Sequence, residues 1–167
     1  MTARYLWSRF GSDPAIGADD LYVAGLLHDT GLLVLEQFFP EEFAGVLATR
    51  AACGGRLWQT EEEELGMDHG AVGGLLLGRW SLPPHVAEGV TNHNHPHQAE
   101  AQFLEVSRVV QAAEVLCTEY GAALADEGSA DYSPEDVLTE LGLDESDIAA
   151  VIAEVPKLAE SAGQFLA

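Results

Sequence analysis

Ala24-Gly25-Leu26-Leu27-His28-Asp29-Thr30-Gly31-Leu32-Leu33-Val34-Leu35 sets an imidazole and a carboxylate side by side inside an otherwise apolar run. A buried polar group without a partner is unfavourable, and a buried charge more so. The pair therefore has to meet a metal, a hydrogen-bonding network or a water-filled cleft. The flanking residues read as helix on both sides: Asp19-Asp20 opens the segment Leu21 to His28 with acidic residues at the positive dipole end, and Gly31 bends the path into a second apolar turn through Phe39.

Outward from this stretch the pattern stays helical. Thr2 to Phe10 forms a short helix closed by Gly11-Ser12-Asp13-Pro14, and Pro40-Glu41-Glu42 starts another in which Phe43, Val46 and Leu47 share a face. Leu57 to Leu65 is a polar helix whose Glu61-Glu62-Glu63-Glu64 run reads as a solvated face, ended by Gly66. Asp68 caps a helix from His69 to Trp80, with Val72, Leu75, Leu76 and Trp80 as its core stripe and with Gly70, Gly73, Gly74 and Gly78 pointing to close helix packing. A helix from Pro84 to Asn92 leads into Asn92-His93-Asn94-His95-Pro96-His97, where His85 in the first turn is read as exposed. The longest amphipathic helix runs from Ala99 to Tyr120, with Phe103, Val106, Val109, Val110, Ala113 and Leu116 inward. Gly121 to Tyr132 is a small, acidic loop, Ser133-Pro134-Glu135-Asp136 caps a helix to Leu141, and Asp144 to about Leu166 is a last helix kinked or divided at Pro156. Nothing alternates as a strand does. The expectation is an all-α bundle of about seven to nine helices without a sheet, in one domain over 1–167.

Composition narrows the function classes. There are 28 Asp plus Glu against 7 Lys plus Arg, a formal net charge of −21, and Lys157 is the only lysine. Such a surface repels phosphate backbones, which argues against direct nucleic-acid binding. No apolar run reaches the roughly 20 residues that span a bilayer, and the N-terminus lacks the pattern of a signal peptide, so no membrane association and a cytoplasmic location are expected. Cys53 and Cys117 lack a CxxC spacing and read as free thiols, and Trp58 and Trp80 as packing anchors.

His28, His69 and the trio His93, His95, His97 all lie at helix ends or the loops beside them, where side chains of separate helices can converge. Imidazole and carboxylate donors suit Zn, Fe, Mn or Ni. The spacing has no compact zinc-finger or H-E-x-x-H form, so a metal site and a hydrogen-bonded structural network both remain open on pattern alone.

The ordered blocks Ala-Gly-Leu-Leu-His-Asp-Thr-Gly at 24 to 31, Leu-Gly-Met-Asp-His-Gly-Ala-Val-Gly at 65 to 73, Leu-Leu-Leu-Gly-Arg-Trp-Ser-Leu-Pro at 75 to 83 and Val-Thr-Asn-His at 90 to 93 resemble the HDOD family. HDOD domains are a signalling branch of the HD metal-dependent phosphohydrolase superfamily, related to the HD-GYP cyclic-di-GMP phosphodiesterases. The resemblance covers the later part of the family domain, without its N-terminal helical region and the upstream helix carrying the first histidine ligand of active HD enzymes. It implies a divalent metal (Fe, Mn, Zn, Ni or Mg) held by His28, Asp29, His69 and His93, with Glu114 as counterpart of the later Asp ligand and Asp29 as the catalytic candidate.

The departures are Asn94 where active relatives often have a second histidine, Glu114 in place of Asp, no histidine before His28, and no Gly-Tyr-Pro segment. No lysine or arginine clamp accompanies the ligands, and Arg79 and Arg108 are assigned to helix-surface salt bridges. The resemblance implies a bacterial signalling module with a non-catalytic or vestigial site, acting through a protein partner or a homodimer. The competing reading is a metal-dependent phosphohydrolase acting on a nucleotide or cyclic dinucleotide.

The charge balance is also that of halophilic proteins. On that reading the melting temperature rises between low salt and molar KCl, as screening relieves self-repulsion. Equal melting temperatures in the two conditions would remove it.

Overall fold

The computed structural model describes residues 1–120 and 132–163, and every regular element among them is helical. In chain order the α-helices are α1 (Thr2–Phe10), α2 (Ala18–Leu27), α3 (Thr30–Phe38), α4 (Pro40–Cys53), α5 (Leu57–Leu65), α6 (His69–Arg79), α7 (Pro84–Thr91), α8 (Leu104–Glu119), α9 (Pro134–Glu140) and α10 (Glu145–Gly163). The protein is all-α, as the pattern implied.

Two apolar clusters hold these helices. The larger joins Leu6 and Trp7 of α1, Leu21 and Ala24 of α2, Val86 of α7, most of the inner face of α8, and Val151 and Val155 of α10. The smaller joins Leu35 of α3, Phe43 and Val46 of α4 and Leu57 of α5. The His28-Asp29 junction thus links a helix of one cluster to a helix of the other. α6 packs against both α3 and α7, while α8 runs against α1, α2 and α7.

Most helix ends fall where the capping residues place them. Asp68 accepts a hydrogen bond from Ala71 N–H at 2.8 Å at the start of α6, and Ser133 and Asp136 form a reciprocal capping box on α9. Gly66 ends α5 at φ +81°, a left-handed turn that sends the chain back toward α6.

Several expectations are corrected. The long helix starts at Leu104 rather than Ala99, because Pro96–Gln98 and Ala101–Phe103 form two short 3₁₀ turns first. The core face of α6 is not the Val72, Leu75, Leu76, Trp80 stripe: Leu77 is fully buried with Gly70, Gly73 and Gly74, while Leu75 and Trp80 are 66% and 58% exposed. Leu47 is likewise exposed on α4. His85 is not solvated but pairs with Asp20 at 3.0 Å. α10 continues through Pro156 without division. The loop at 121–131 and the end of the last helix at 164–167 lie outside the described residues.

The glycines of α6 mark where backbones touch. A Cβ on Gly31 of α3 would overlap the carbonyl oxygen of His69, one on Gly70 would lie 2.8 Å from Thr91 O, and one on Gly74 would overlap the Thr91 hydroxyl. α6 therefore lies between α3 and α7 at a separation no larger residue permits. We predict that Gly31→Ala lowers stability by about 3 kcal/mol, because the obstacle is backbone rather than a flexible side chain. That is a fall in melting temperature of roughly 6–12 °C for a chain of this size. Calorimetry measures it, and an unchanged transition would contradict the contact.

Candidate metal centre

The candidate residues come from five helix ends or faces. His28 is the C-cap of α2 and Asp29 the N-cap of α3. His69 is the first residue of α6, His93 follows the end of α7, and Glu114 faces inward from the middle of α8.

At their meeting point His69 Nε2 and His93 Nε2 stand 3.3 Å apart, and Asp29 Oδ1 lies 3.7 Å from the first and 4.0 Å from the second. Asp29 Oδ2 is 3.3 Å from His28 Nε2. Both His69 and His93 are completely buried.

Each imidazole is anchored through its other nitrogen. His28 Nδ1 is 3.0 Å from Gly25 O and His93 Nδ1 is 2.7 Å from Val90 O, while His69 Nδ1 is 2.7 Å from Glu61 Oε2. A carbonyl only accepts, so Nδ1 of His28 and of His93 carries the proton and Nε2 keeps its lone pair. The same tautomer at His69 leaves its Nε2 lone pair facing that of His93. Asp29 Oδ1, buried beside them, has no hydrogen-bond partner. His69 Nε2 is also 3.3 Å from the Asn94 amide nitrogen, and two lone pairs and an orphaned carboxylate oxygen turned on one point repel one another unless a proton or a metal cation lies between them.

The donor set fits a metal. Ligands about 2.0–2.1 Å from a tetrahedral ion are roughly 3.4 Å from one another, near the separations found here. The hydrogen bonds behind the histidines are the supports that metal-ligating imidazoles ordinarily carry. Among the described residues, Asp29, His69 and His93 are the group whose ligand atoms all lie within 4.8 Å of one another. His28 and Glu114 flank it.

Burial governs the charges. It pushes the His93 imidazole down to about 4, helped by neighbouring His69 and opposed by Asp29 and the Val90 carbonyl. His28 is lowered too, by burial first, against the attraction of Asp29 and Glu114. Burial raises the Glu114 carboxyl, and Asp29 adds to this, while His28, His69 and Arg56 pull it back. Glu114 thus belongs to the same electrostatic neighbourhood as the three ligands.

The HDOD domain family model matches residues 1–96, which is more than half of the chain. The chain belongs to the HDOD family. Three solved structures are similar to it. A Shewanella amazonensis SB2B protein described as a "Putative phosphohydrolase" is 23% identical, with a TM-score of 0.73, covering 94% of this chain and 55% of that one. An HDOD domain protein with unknown function from Geobacter sulfurreducens is 24% identical, with a TM-score of 0.68, covering 94% and 58%. A Marinobacter aquaeolei VT8 protein described as a "Putative signal transduction protein" is 26% identical, with a TM-score of 0.76, covering 96% and 35%. This chain therefore spans little more than half the length of the first two. No curated protein sequence matches it significantly.

Within the HDOD fold, residues beyond the expected ligands take part. Glu61 is fully buried, not solvated, and accepts from both the side chain and the backbone N–H of His69. Asn94 places its amide nitrogen 3.1 Å from Asp68 Oδ2 and 3.3 Å from His69 Nε2. His95 turns away from the trio toward Glu62 at 3.3 Å, with Trp58 against its ring at 4.2 Å. Arg56, at the N-cap of α5, is the cation whose field reaches Glu114, and its guanidinium also stacks on Tyr132 at 5.3 Å. Arg108 instead donates to Glu140 O, and Arg79 is exposed at the far end of α6 from His69.

In metal-free protein the site makes stability depend on pH. Between pH 6.5 and about 4 the unfolded chain takes up a proton at His93 that the folded protein refuses, so the His93 contribution to stability falls as pH falls through that window, and the lowered His28 acts in the same sense. Glu114 acts in the opposite sense above pH 4.5, because its folded form holds a proton the unfolded form has lost. The His93 share is at most about 3 kcal/mol. Urea titrations in chelator at pH 7, 5.5 and 4.5 should show His93→Gln losing less stability on acidification than the unmodified protein. Parallel curves would contradict the burial of a neutral His93.

Proposed function

We propose that this chain is a metal-holding signalling module of the HDOD family, acting through contacts with another protein rather than by hydrolysis. The observation that carries the metal reading is Asp29 Oδ1, buried without a partner beside the Nε2 atoms of His69 and His93. Asp29, His69 and His93 would hold the ion, with His28 and Glu114 beside it. Two or three imidazole nitrogens suit Fe, Mn, Zn or Ni, whereas Mg favours an all-oxygen shell.

When bound, such an ion polarises a phosphate ester and acidifies water. The residues around it do not favour that use. Glu61, Asp68 and Glu114 crowd the centre with carboxyl groups, which repel a phosphate ester. Asn94 lays its amide against His69, on the side an additional donor would need. The outer surface favours contact instead: Leu26, Leu33, Phe38, Leu75 and Trp80 are each more than half exposed, and Leu33, Val34, Phe38 and Leu76 line one groove together with Thr30, Glu36 and Gln37.

A phosphohydrolase is the second reading, supported by the near-complete donor set and by the description of the Shewanella relative. One experiment separates the two. Protein purified without chelator is expected to carry about one transition-metal ion, which Asp29→Ala loses and His69→Ala binds measurably but more weakly, with no turnover of a phosphodiester by the loaded protein. At metal 100-fold above its dissociation constant, stability should rise by about 3 kcal/mol. Turnover that disappears with Asp29→Ala would overturn the non-catalytic assignment. No uptake after metal loading would overturn the metal site itself.

A further inference from the structure

The three site histidines are not supported alike. His28 and His93 follow the last turns of α2 and α7, where helix carbonyls are left without amide partners, and each imidazole takes the carbonyl three residues back: Gly25 O and Val90 O. His69 opens α6. A helix start offers spare N–H groups and no spare carbonyl, so the local backbone provides no acceptor for its Nδ1 proton. Another helix provides one. Glu61 of α5 places Oε2 at 2.7 Å from His69 Nδ1 and 2.8 Å from His69 N, so one oxygen serves the ring and the backbone amide of the helix start together.

Glu61 is fully buried, its Oε1 has no hydrogen-bond partner, and the adjoining Glu62, Glu63 and Glu64 are exposed. A carboxyl group sealed in this way, in a run whose other members are solvated, is held there for what Oε2 does. We infer that Glu61 is the positioning residue of the metal centre: it fixes the ring plane and tautomer of His69 and strengthens Nε2 as a donor. The inference rests on the metal-holding reading and adds to it a residue outside the ligand set.

Glutamine can keep one oxygen on both N–H groups while removing the negative charge, whereas alanine removes the acceptor altogether. Zn²⁺ affinity, measured by competition with a chromophoric chelator, should fall about tenfold in Glu61→Gln and up to about 100-fold in Glu61→Ala. In a His69→Ala background neither change should weaken binding further, because Glu61 acts through that ring. Nitrogen chemical shifts of His69 in metal-free protein should report the Nδ1–H tautomer in the unmodified chain and a mixture of tautomers in Glu61→Ala. If Glu61→Ala fails to fold, Glu61→Gln and its His69→Ala double variant decide the matter. Unmodified affinity in Glu61→Gln, or an equal loss with and without His69, would overturn the positioning role while leaving the metal site standing. If the unmodified chain binds no Zn²⁺, the metal reading fails by itself. The His69 shifts of Glu61→Ala, or of Glu61→Leu where the smaller residue does not fold, then decide the role of Glu61: a retained Nδ1–H tautomer overturns it, and a mixture of tautomers upholds it.

Discussion

The meeting of Asp29, His69 and His93 depends on how closely α6 lies between α3 and α7. Glycines at 31, 70, 73 and 74 let the three backbones approach to contact distance, and at Gly31 the neighbour is the carbonyl of His69 itself. Helices held apart by ordinary side chains sit roughly 8–10 Å apart; with glycine at the contact these backbones come closer, and the side chains borne on their first and last residues are drawn to one point. Here the junction of α2 and α3, the first residue of α6 and the residue beyond α7 share one small volume. The low helix propensity of a glycine-rich α6 is offset by packing on both sides.

Helix polarity then sorts the supports. Where a chain leaves a helix, spare carbonyls hold an imidazole by Nδ1; where it enters one, spare amides need an anion. His28 and His93 illustrate the first case and His69 the second. The second case brings a carboxyl into the interior, and Asp29, Glu114 and Asp68 stand close by. Burial alone opposes charge on both acids and imidazoles, as the lowered His28 and His93 and the raised Glu114 show. A divalent cation reconciles these demands, since it pairs with carboxylates and needs its histidines neutral.

Much of this was legible in the sequence. Capping residues and prolines located the helices they bound within a residue or two, because caps are local: Asp68, Ser133, Pro40 and Gly66 act where they stand; the long helix has no side-chain cap, and its start was placed five residues early. The resemblance brought together His28, Asp29, His69, His93 and Glu114, and the geometry places them in one neighbourhood. What pattern could not supply was direction. Four glutamates in a row look alike until a neighbouring helix end selects Glu61 by offering it two N–H groups. The face of α6 was misassigned because apolar size suggested Leu75 and Trp80, whereas close approach buries the glycines instead. His85 and Arg56 likewise acquired roles only from residues remote in sequence, Asp20 and Glu114.

The groove and the metal centre share a helix, which bears on what kind of protein this is. Asp29 is the N-cap of α3, and the groove is lined by Thr30, Leu33, Val34, Glu36, Gln37 and Phe38 of the same helix with Leu76 of α6, a mixed apolar and polar surface. His69 begins the helix that carries Leu76. Groove and candidate ligands are therefore borne by the same pair of helices, pinned together at Gly31. His69 and His93 are sealed from solvent, while Asp29 is only partly buried. On the proposed reading, an ion held by these residues would stabilise the parts of α3 and α6 that border the groove, because it binds N but not U. On that reading the ion sets the shape of a surface rather than turning over a phosphate ester.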